Sequence, residues 1–120
     1  MGSQAILVVD DEPDTGEVVG FLLESYGYHV RYAFNGSEAL QMLGQASVDL
    51  VLTDLMMPVL DGSELVRKMR ALQQFESTPI IVISATPQDI VRRMCPLANA
   101  FLRKPSSSAE LLDAVRKLLP

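Results

Sequence analysis

Asp10 and Asp11, Asp54, Ser84 and Lys104 are spread over nearly the whole chain, yet each closes or follows a short apolar run. Carboxylates gathered within a few ångströms repel one another, so at neutral pH they either shift their pKa values or hold a cation. All-oxygen donors of this kind, completed by water, suit Mg2+. A lysine and a small hydroxyl beside a carboxylate add a positive charge and a hydrogen-bond donor. Together these groups form a site for a trianionic, phosphoryl-like group. Singly, each is ordinary. An aspartate at a strand end usually caps a turn or a helix, a Lys-Pro pair is usually solvated, and Ser84 alone would satisfy backbone groups. Their ordered placement at the ends of separate apolar runs is what chance seldom produces.

Positioning such residues needs a scaffold whose strand ends converge. Residues 5–9 are continuously apolar, as a strand buried on both faces should be. Asp14 with Glu17 forms a capping pair for a first helix with Val18, Leu22 and Tyr26 on one side, and Gly27 stops it. Residues 28–33 alternate and read as a strand nearer an edge. Asn35-Gly36 is a turn, and Ser37 caps a second helix that turns Ala39, Leu40 and Leu43 inward. Residues 48–53 form a strand that ends in Asp54, with Asp49 near its entry. Asp61 and Glu64 open a third helix carrying Leu65, Met69 and Leu72. Residues 79–84 are the most hydrophobic strand. A weak fourth helix begins near Pro87 with Ile90, Val91 and Met94, and residues 100–103 make a short fifth strand. Ser107 and Glu110 cap a last helix striped by Leu111, Leu112, Val115, Leu118 and Leu119. Strands alternating with helices imply an α/β fold, a parallel sheet covered on both faces by right-handed crossovers. In such sheets function gathers outside the carboxyl ends of the strands, where the strand order reverses. If the first and third strands are neighbours, Asp10, Asp11 and Asp54 meet there.

Composition narrows the choice. The 120 residues suffice for one domain, taken as residues 4–120, and Met1-Gly2-Ser3 resembles an appended leader without structural weight. Hydrophobic residues at 48% and charged ones at 21% fit a soluble globular fold rather than disorder. A net charge of −5 argues against direct nucleic-acid binding, which needs a basic stripe. No apolar run approaches the roughly 20 residues of a membrane span, and no signal-peptide pattern opens the chain. Cys95, the lone cysteine, can form neither an internal disulfide nor a cysteine-based zinc site. A cytoplasmic, reduced protein that does not enter membranes is expected.

Several segments then carry a family resemblance over nearly the whole chain: Val9-Asp10-Asp11-Glu12-Pro13, Asp54-Leu55-Met56-Met57-Pro58, Asp61-Gly62, Ile83-Ser84-Ala85 and Arg103-Lys104-Pro105. Jointly they resemble the receiver domain of two-component response regulators. The resemblance implies a flavodoxin-like (βα)5 fold, a doubly wound parallel five-stranded sheet of strand order 2-1-3-4-5. It implies that Asp54 accepts a phosphoryl group, in a Mg2+-dependent reaction, from a histidine kinase or a histidine phosphotransfer domain. Asp11 and Asp54 would supply carboxylate oxygens to Mg2+, Asp10 would assist through water, and the Met56 backbone carbonyl would be a further ligand. Lys104 would pair with the phosphoryl oxygens and Ser84 would donate a hydrogen bond to them. Phe101 takes the place of the switch aromatic, whose ring moves with that hydroxyl. Such a domain catalyses only its own phosphorylation and dephosphorylation, and a second copy of the chain is a further candidate partner.

The chain departs from the family pattern in one region. The stretch between Ser84 and Lys104 is about two residues shorter than usual, and Cys95-Pro96 interrupts its helical pattern because proline removes a backbone donor. Leu97 stands where a glycine is common. A fourth helix of only about two turns is expected. Two other classes of function fit less well. Phosphohydrolases with an aspartate nucleophile want a second aspartate two residues further on, and Met56 stands there. A flavodoxin-like cofactor binder wants a Ser-, Thr- and Gly-rich phosphate loop after the first strand, where Asp10-Asp11-Glu12 would repel a flavin phosphate.

Overall fold

Apolar runs without polar alternation form the middle of the sheet in the computed structural model, which describes residues 4–120. The leader reading of residues 1–3 lies outside the described residues. Strand β1 (Ala5–Val9), strand β3 (Leu50–Asp54) and strand β4 (Ile80–Ser84) are buried along almost their whole length. Strand β2 (His29–Ala33) alternates exposed and covered residues at one edge, and strand β5 (Ala100–Arg103) closes the other. All pair in parallel in the order β2-β1-β3-β4-β5, the doubly wound arrangement expected. Helix α1 (Pro13–Ser25) and helix α5 (Ser108–Leu118) cover one face. Helix α2 (Gly36–Leu43), helix α3 (Gly62–Ala71) and helix α4 (Gln88–Met94) cover the other.

Two apolar layers follow from the alternation of side chains along each strand. Leu7, Val9, Val51 and Val82 meet Ala39, Leu43, Leu65, Met69 and Val91 on one face. Ile6, Val8, Leu52, Ile81 and Ile83 meet Leu23, Leu111, Leu112 and Val115 on the other. Each such fully buried side chain contributes about 1.5–3 kcal/mol relative to exposure.

Helices α3 and α5 begin as expected. Asp61 with Glu64, and Ser107 with Glu110, form reciprocal capping boxes. Leu72 falls beyond α3 and is exposed. Helix α2 differs: its cap is Asn35, whose side chain accepts from the Glu38 N–H at 2.8 Å, and Ser37 lies inside the helix. Glu38 in turn accepts from the Phe34 N–H at 3.1 Å, so the cap sits two residues earlier than expected.

Helix α1 differs most. It starts at Pro13, whose missing N–H is harmless in a first turn, and Glu12 is its N-cap without any side-chain cap. Asp14 lies inside the first turn instead of capping it. The buried positions are Gly16, Gly20 and Leu23, whereas Val18 and Tyr26 are exposed. The reason is Tyr32 on β2, whose ring lies against Gly20 so closely that a Cβ there would overlap it. The helix approaches the sheet through its glycines and buries Leu23, while Val18, Phe21 and Tyr26 are left exposed.

Helix α4 has seven residues, the two turns expected. Val91 is buried while Ile90 and Met94 are partly exposed. Arg70 at the end of α3 holds the link from α4 to β5. Its guanidinium donates to the carbonyls of Leu97 (3.1 Å), Phe75 (2.9 Å) and Thr78 (2.8 Å) and to Asn99 Oδ1 (2.8 Å). Its pKa is lowered by burial. Asn99 Oδ1 also accepts from the Ile80 N–H, which pins this link to the start of β4.

Candidate functional site

Parallel pairing of Val9 with Thr53 brings the residues that follow, Asp10 and Asp54, side by side at the carboxyl ends of β1 and β3. Both are buried, at 6% and 7% exposure, in a place where unpaired charge would be costly. Lys104 resolves that conflict. Its Nζ lies 3.0 Å from Asp54 Oδ2 and 3.3 Å from Asp10 Oδ2. Burial disfavours the ammonium, but the hydrogen bonds and charges of Asp54, then Asp10, outweigh it and hold the pKa above the usual lysine value. The remaining carboxylate oxygens take backbone donors. Asp54 Oδ1 accepts from the Leu55 N–H (2.7 Å) and Asp10 Oδ1 from the Glu12 N–H (2.9 Å). The lysine is placed by its own N–H, which donates to the Ser84 carbonyl at 2.9 Å, and it precedes a cis bond to Pro105.

Asp54 is fixed from behind as well. The first turn of α3 presses on it: the Gly62 N–H donates to the Leu55 carbonyl (2.8 Å). A Cβ on Gly62 would overlap the Asp54 carbonyl oxygen and lie 3.0 Å from Leu55 Cα. The intervening loop turns tightly at Val59, which adopts φ 70 while the Leu60 N–H donates to the Pro58 carbonyl at 2.8 Å. Met56 and Val59 stand exposed on this loop.

Asp11 and Glu12 are exposed beside Asp10, and one carboxylate oxygen from each lies within 4.8 Å of the others. A buried anion opening onto two solvent-facing ones offers hard oxygen donors of the kind Mg2+ prefers. The residues therefore fit that ion. Glu12 was missed as a candidate in the sequence reading, although its place directly after the acidic pair was visible there. Asp10, Asp54 and Lys104 are brought together as expected. Asp11 groups with Asp10 and Glu12.

Ser84 ends β4, one residue beyond Ile83, the pairing partner of Asp54. It is buried, and its Oγ accepts from the Thr86 N–H at 3.1 Å. Phe101 is half-buried on β5 opposite Val82. Two residues of α4 hold it: Gln88 Nε2 donates to the Phe101 carbonyl (3.2 Å), and the Arg92 guanidinium lies 4.7 Å from the ring centre. Nothing in the sequence reading pointed to Arg92. An apolar cleft of about 540 Å³ lies between α1 and the segment after Lys104, walled by Val18, Val19, Leu52 and Ile83, with Asp10 and Lys104 at one end. It gives the strand ends an open side.

Comparison with known proteins agrees with this geometry. The family model for the response regulator receiver domain matches residues 6–116. Sensor histidine kinase TmoS of Ectopseudomonas mendocina is 38% identical over 95% of this chain, which spans only 12% of that kinase. Response regulator TrrA from Thermotoga maritima, solved in complex with Mg(2+)-BeF, superposes with a TM-score of 0.88 at 32% identity, over 96% of this chain and 98% of that one. The receiver domain of a sensor histidine kinase from Pseudomonas aeruginosa, with a magnesium ion in its active-site cleft, gives 0.90 at 32% identity over 98% of each chain. Among the described residues no helix is long and apolar enough to cross a membrane.

Proposed function

Because the chain belongs to the response regulator receiver domain family, we propose that Asp54 is its phosphoacceptor and that a phosphohistidine on a histidine kinase or a histidine phosphotransfer domain is the donor. The observation that carries this reading is Lys104 Nζ, from the far edge of the sheet, bridging the buried carboxylates of Asp54 and Asp10. A lysine so placed neutralises the two carboxylates and can turn to phosphoryl oxygens once the group is transferred.

In the transfer, a carboxylate oxygen of Asp54 attacks phosphorus. The new O–P bond forms as the P–N bond to the donor imidazole breaks, and the electron pair leaves with the ring nitrogen. Such transfers ask the protein for alignment and charge stabilisation and for little covalent chemistry. The Leu55 N–H holds one Asp54 oxygen, and Gly62 packs against its backbone, so the nucleophile is aligned before the donor arrives. Asp10, Asp11, Asp54 and the Met56 backbone carbonyl would hold Mg2+, with Asp10 acting through water. Bound there, the ion supplies positive charge to the carboxylates and the phosphoryl oxygens.

The product is a mixed anhydride, hydrolytically labile, which suits a signal that must decay. The Ser84 hydroxyl donates to the phosphoryl group, and the ring of Phe101 moves with it. Phosphorylation shifts the population toward that arrangement because the phosphoryl group binds it better. The relatives include a sensor histidine kinase, which supports such a donor; the chemistry of this chain would then be its own phosphorylation and dephosphorylation. Acetyl phosphate with Mg2+ should add one phosphoryl group, seen as a mass increase that is lost in Asp54→Asn and on chelation of the metal. Stoichiometric acid-labile labelling of Asp54→Asn would overturn the assignment.

A further inference from the structure

We infer that Arg92 is a positioning residue for the switch, holding Phe101 in the arrangement of the unphosphorylated protein; the inference rests on the phosphoacceptor reading above. Two handles reach from α4 to one residue of β5. Gln88 binds the Phe101 carbonyl, and Arg92, one turn later on the same face, covers the Phe101 ring at 4.7 Å. Helix α4 has seven residues and buries Val91 of its own apolar side chains, so little other packing fixes it. Its position and the position of the ring are thereby tied together. On the inner side the Ser84 hydroxyl oxygen accepts from the Thr86 N–H. The covered ring and the hydroxyl held by Thr86 occur together in this structure.

A contact made in one state and lost in the other biases the equilibrium by its own strength. Phosphorylation that draws Ser84 toward Asp54 moves the ring away from the guanidinium, so it must break this contact. Arg92 then opposes activation. A cation over an exposed aromatic face corresponds to a bias of roughly two- to fivefold. Arg93, its neighbour, points to Asp89 in an exposed ion pair and has no such link.

The test is titration with beryllofluoride in excess Mg2+, followed by the backbone amide resonances of Ser84 and Thr86. Arg92→Ala should reach half-saturation at roughly two- to fivefold lower beryllofluoride than wild type. Arg92→Lys should lie between the two, because it keeps the charge and loses the flat stacking surface. Arg93→Ala, with a similar loss of charge on the same helix, should match wild type. A merely structural role would change the melting temperature without moving the midpoint. An unchanged or raised midpoint in Arg92→Ala, or an equal shift in Arg93→Ala, would overturn the inference. Failure of wild-type protein to bind beryllofluoride at Asp54 would instead overturn the phosphoacceptor reading.

Discussion

Replacing Gly62 by alanine should damage both the stability of the domain and the chemistry proposed for it, because the start of α3 and the end of β3 share the space one methyl would need. The added Cβ would overlap the Asp54 carbonyl oxygen and press on Leu55 Cα, and both are backbone atoms that cannot swing aside. Overpacking of this kind costs about 1–3 kcal/mol. Helix propensity returns less than about 1 kcal/mol, since the position is the first of α3. A net loss of about 2 kcal/mol lowers the melting temperature by roughly 8 °C for a chain of this length. The helix must also back away from β3, carrying the Leu55 N–H that holds Asp54 with it. Misplacement of a nucleophile by an ångström can cost about 100-fold, so a fall of at least 10-fold in the acetyl phosphate reaction is expected. Gly44→Ala is the internal control. Its backbone lies at φ −75, and the nearest atom to the new Cβ, the Gln41 carbonyl oxygen, is 3.5 Å away. Circular-dichroism melts and mass-resolved labelling of both variants decide the matter. Gly62→Ala melting with Gly44→Ala and labelling at the wild-type rate would refute the idea that α3 positions Asp54.

Val59→Asn should stabilise the domain by about 1 kcal/mol, since a β-branched residue at φ 70 is strained and an exposed side chain loses nothing; a urea midpoint at or below wild type would count against it. Arg70→Ala should cost about 2 kcal/mol and speed hydrogen exchange in residues 95–99, and Arg70→Lys should not restore protection, because an ammonium cannot reproduce the planar fork. Burial, then the charge of Asp61, with Arg67 opposing, raises the Cys95 thiol to about 11. Native protein should therefore resist alkylation at pH 8, as shown by mass spectrometry with and without denaturant. The sign for stability follows: the folded state retains the thiol proton that the unfolded state gives up near pH 9. The contribution is complete below that pH and disappears as pH rises through about 11, so denaturant midpoints should fall across that window and Cys95→Ala should flatten the fall.

The strands were legible because a doubly covered parallel sheet leaves uninterrupted apolar runs, and residues 5–9 and 100–103 match to the residue. The capping boxes at Asp61 and Ser107 were legible because both partners lie within one turn. Helix α1 was misread for a physical reason. Hydrophobic periodicity weighs side chains, whereas this helix packs closely by having none at Gly20, and only the distant Tyr32 explains why. In the site, Asp10, Asp54 and Lys104 could be placed from strand ends alone, since parallel register aligns those ends. Arg92 could not. Its role depends on where a short helix lies over β5, and neither spacing nor residue type encodes that.

Strands β1 and β2, β3 and β4, and β4 and β5 are each joined by a single helical crossover, but β1 and β3 are not consecutive: Ile6 pairs with Leu50 across all of α1, β2 and α2. Closing that long loop carries the largest entropic cost in the sheet, because the ordering of a longer chain must precede the contacts that reward it. The acidic pair belongs to one side of this seam and Asp54, with Lys104, to the other. A chain emerging from synthesis can order its first half and hold the acidic pair, or later its second half and hold Asp54, without having brought the two together. Assembly of the site is thus tied to completion of the sheet. If Asp54 is the acceptor, nascent or partly unfolded copies should not take up a phosphoryl group, because the carboxylates that must cooperate have not yet met.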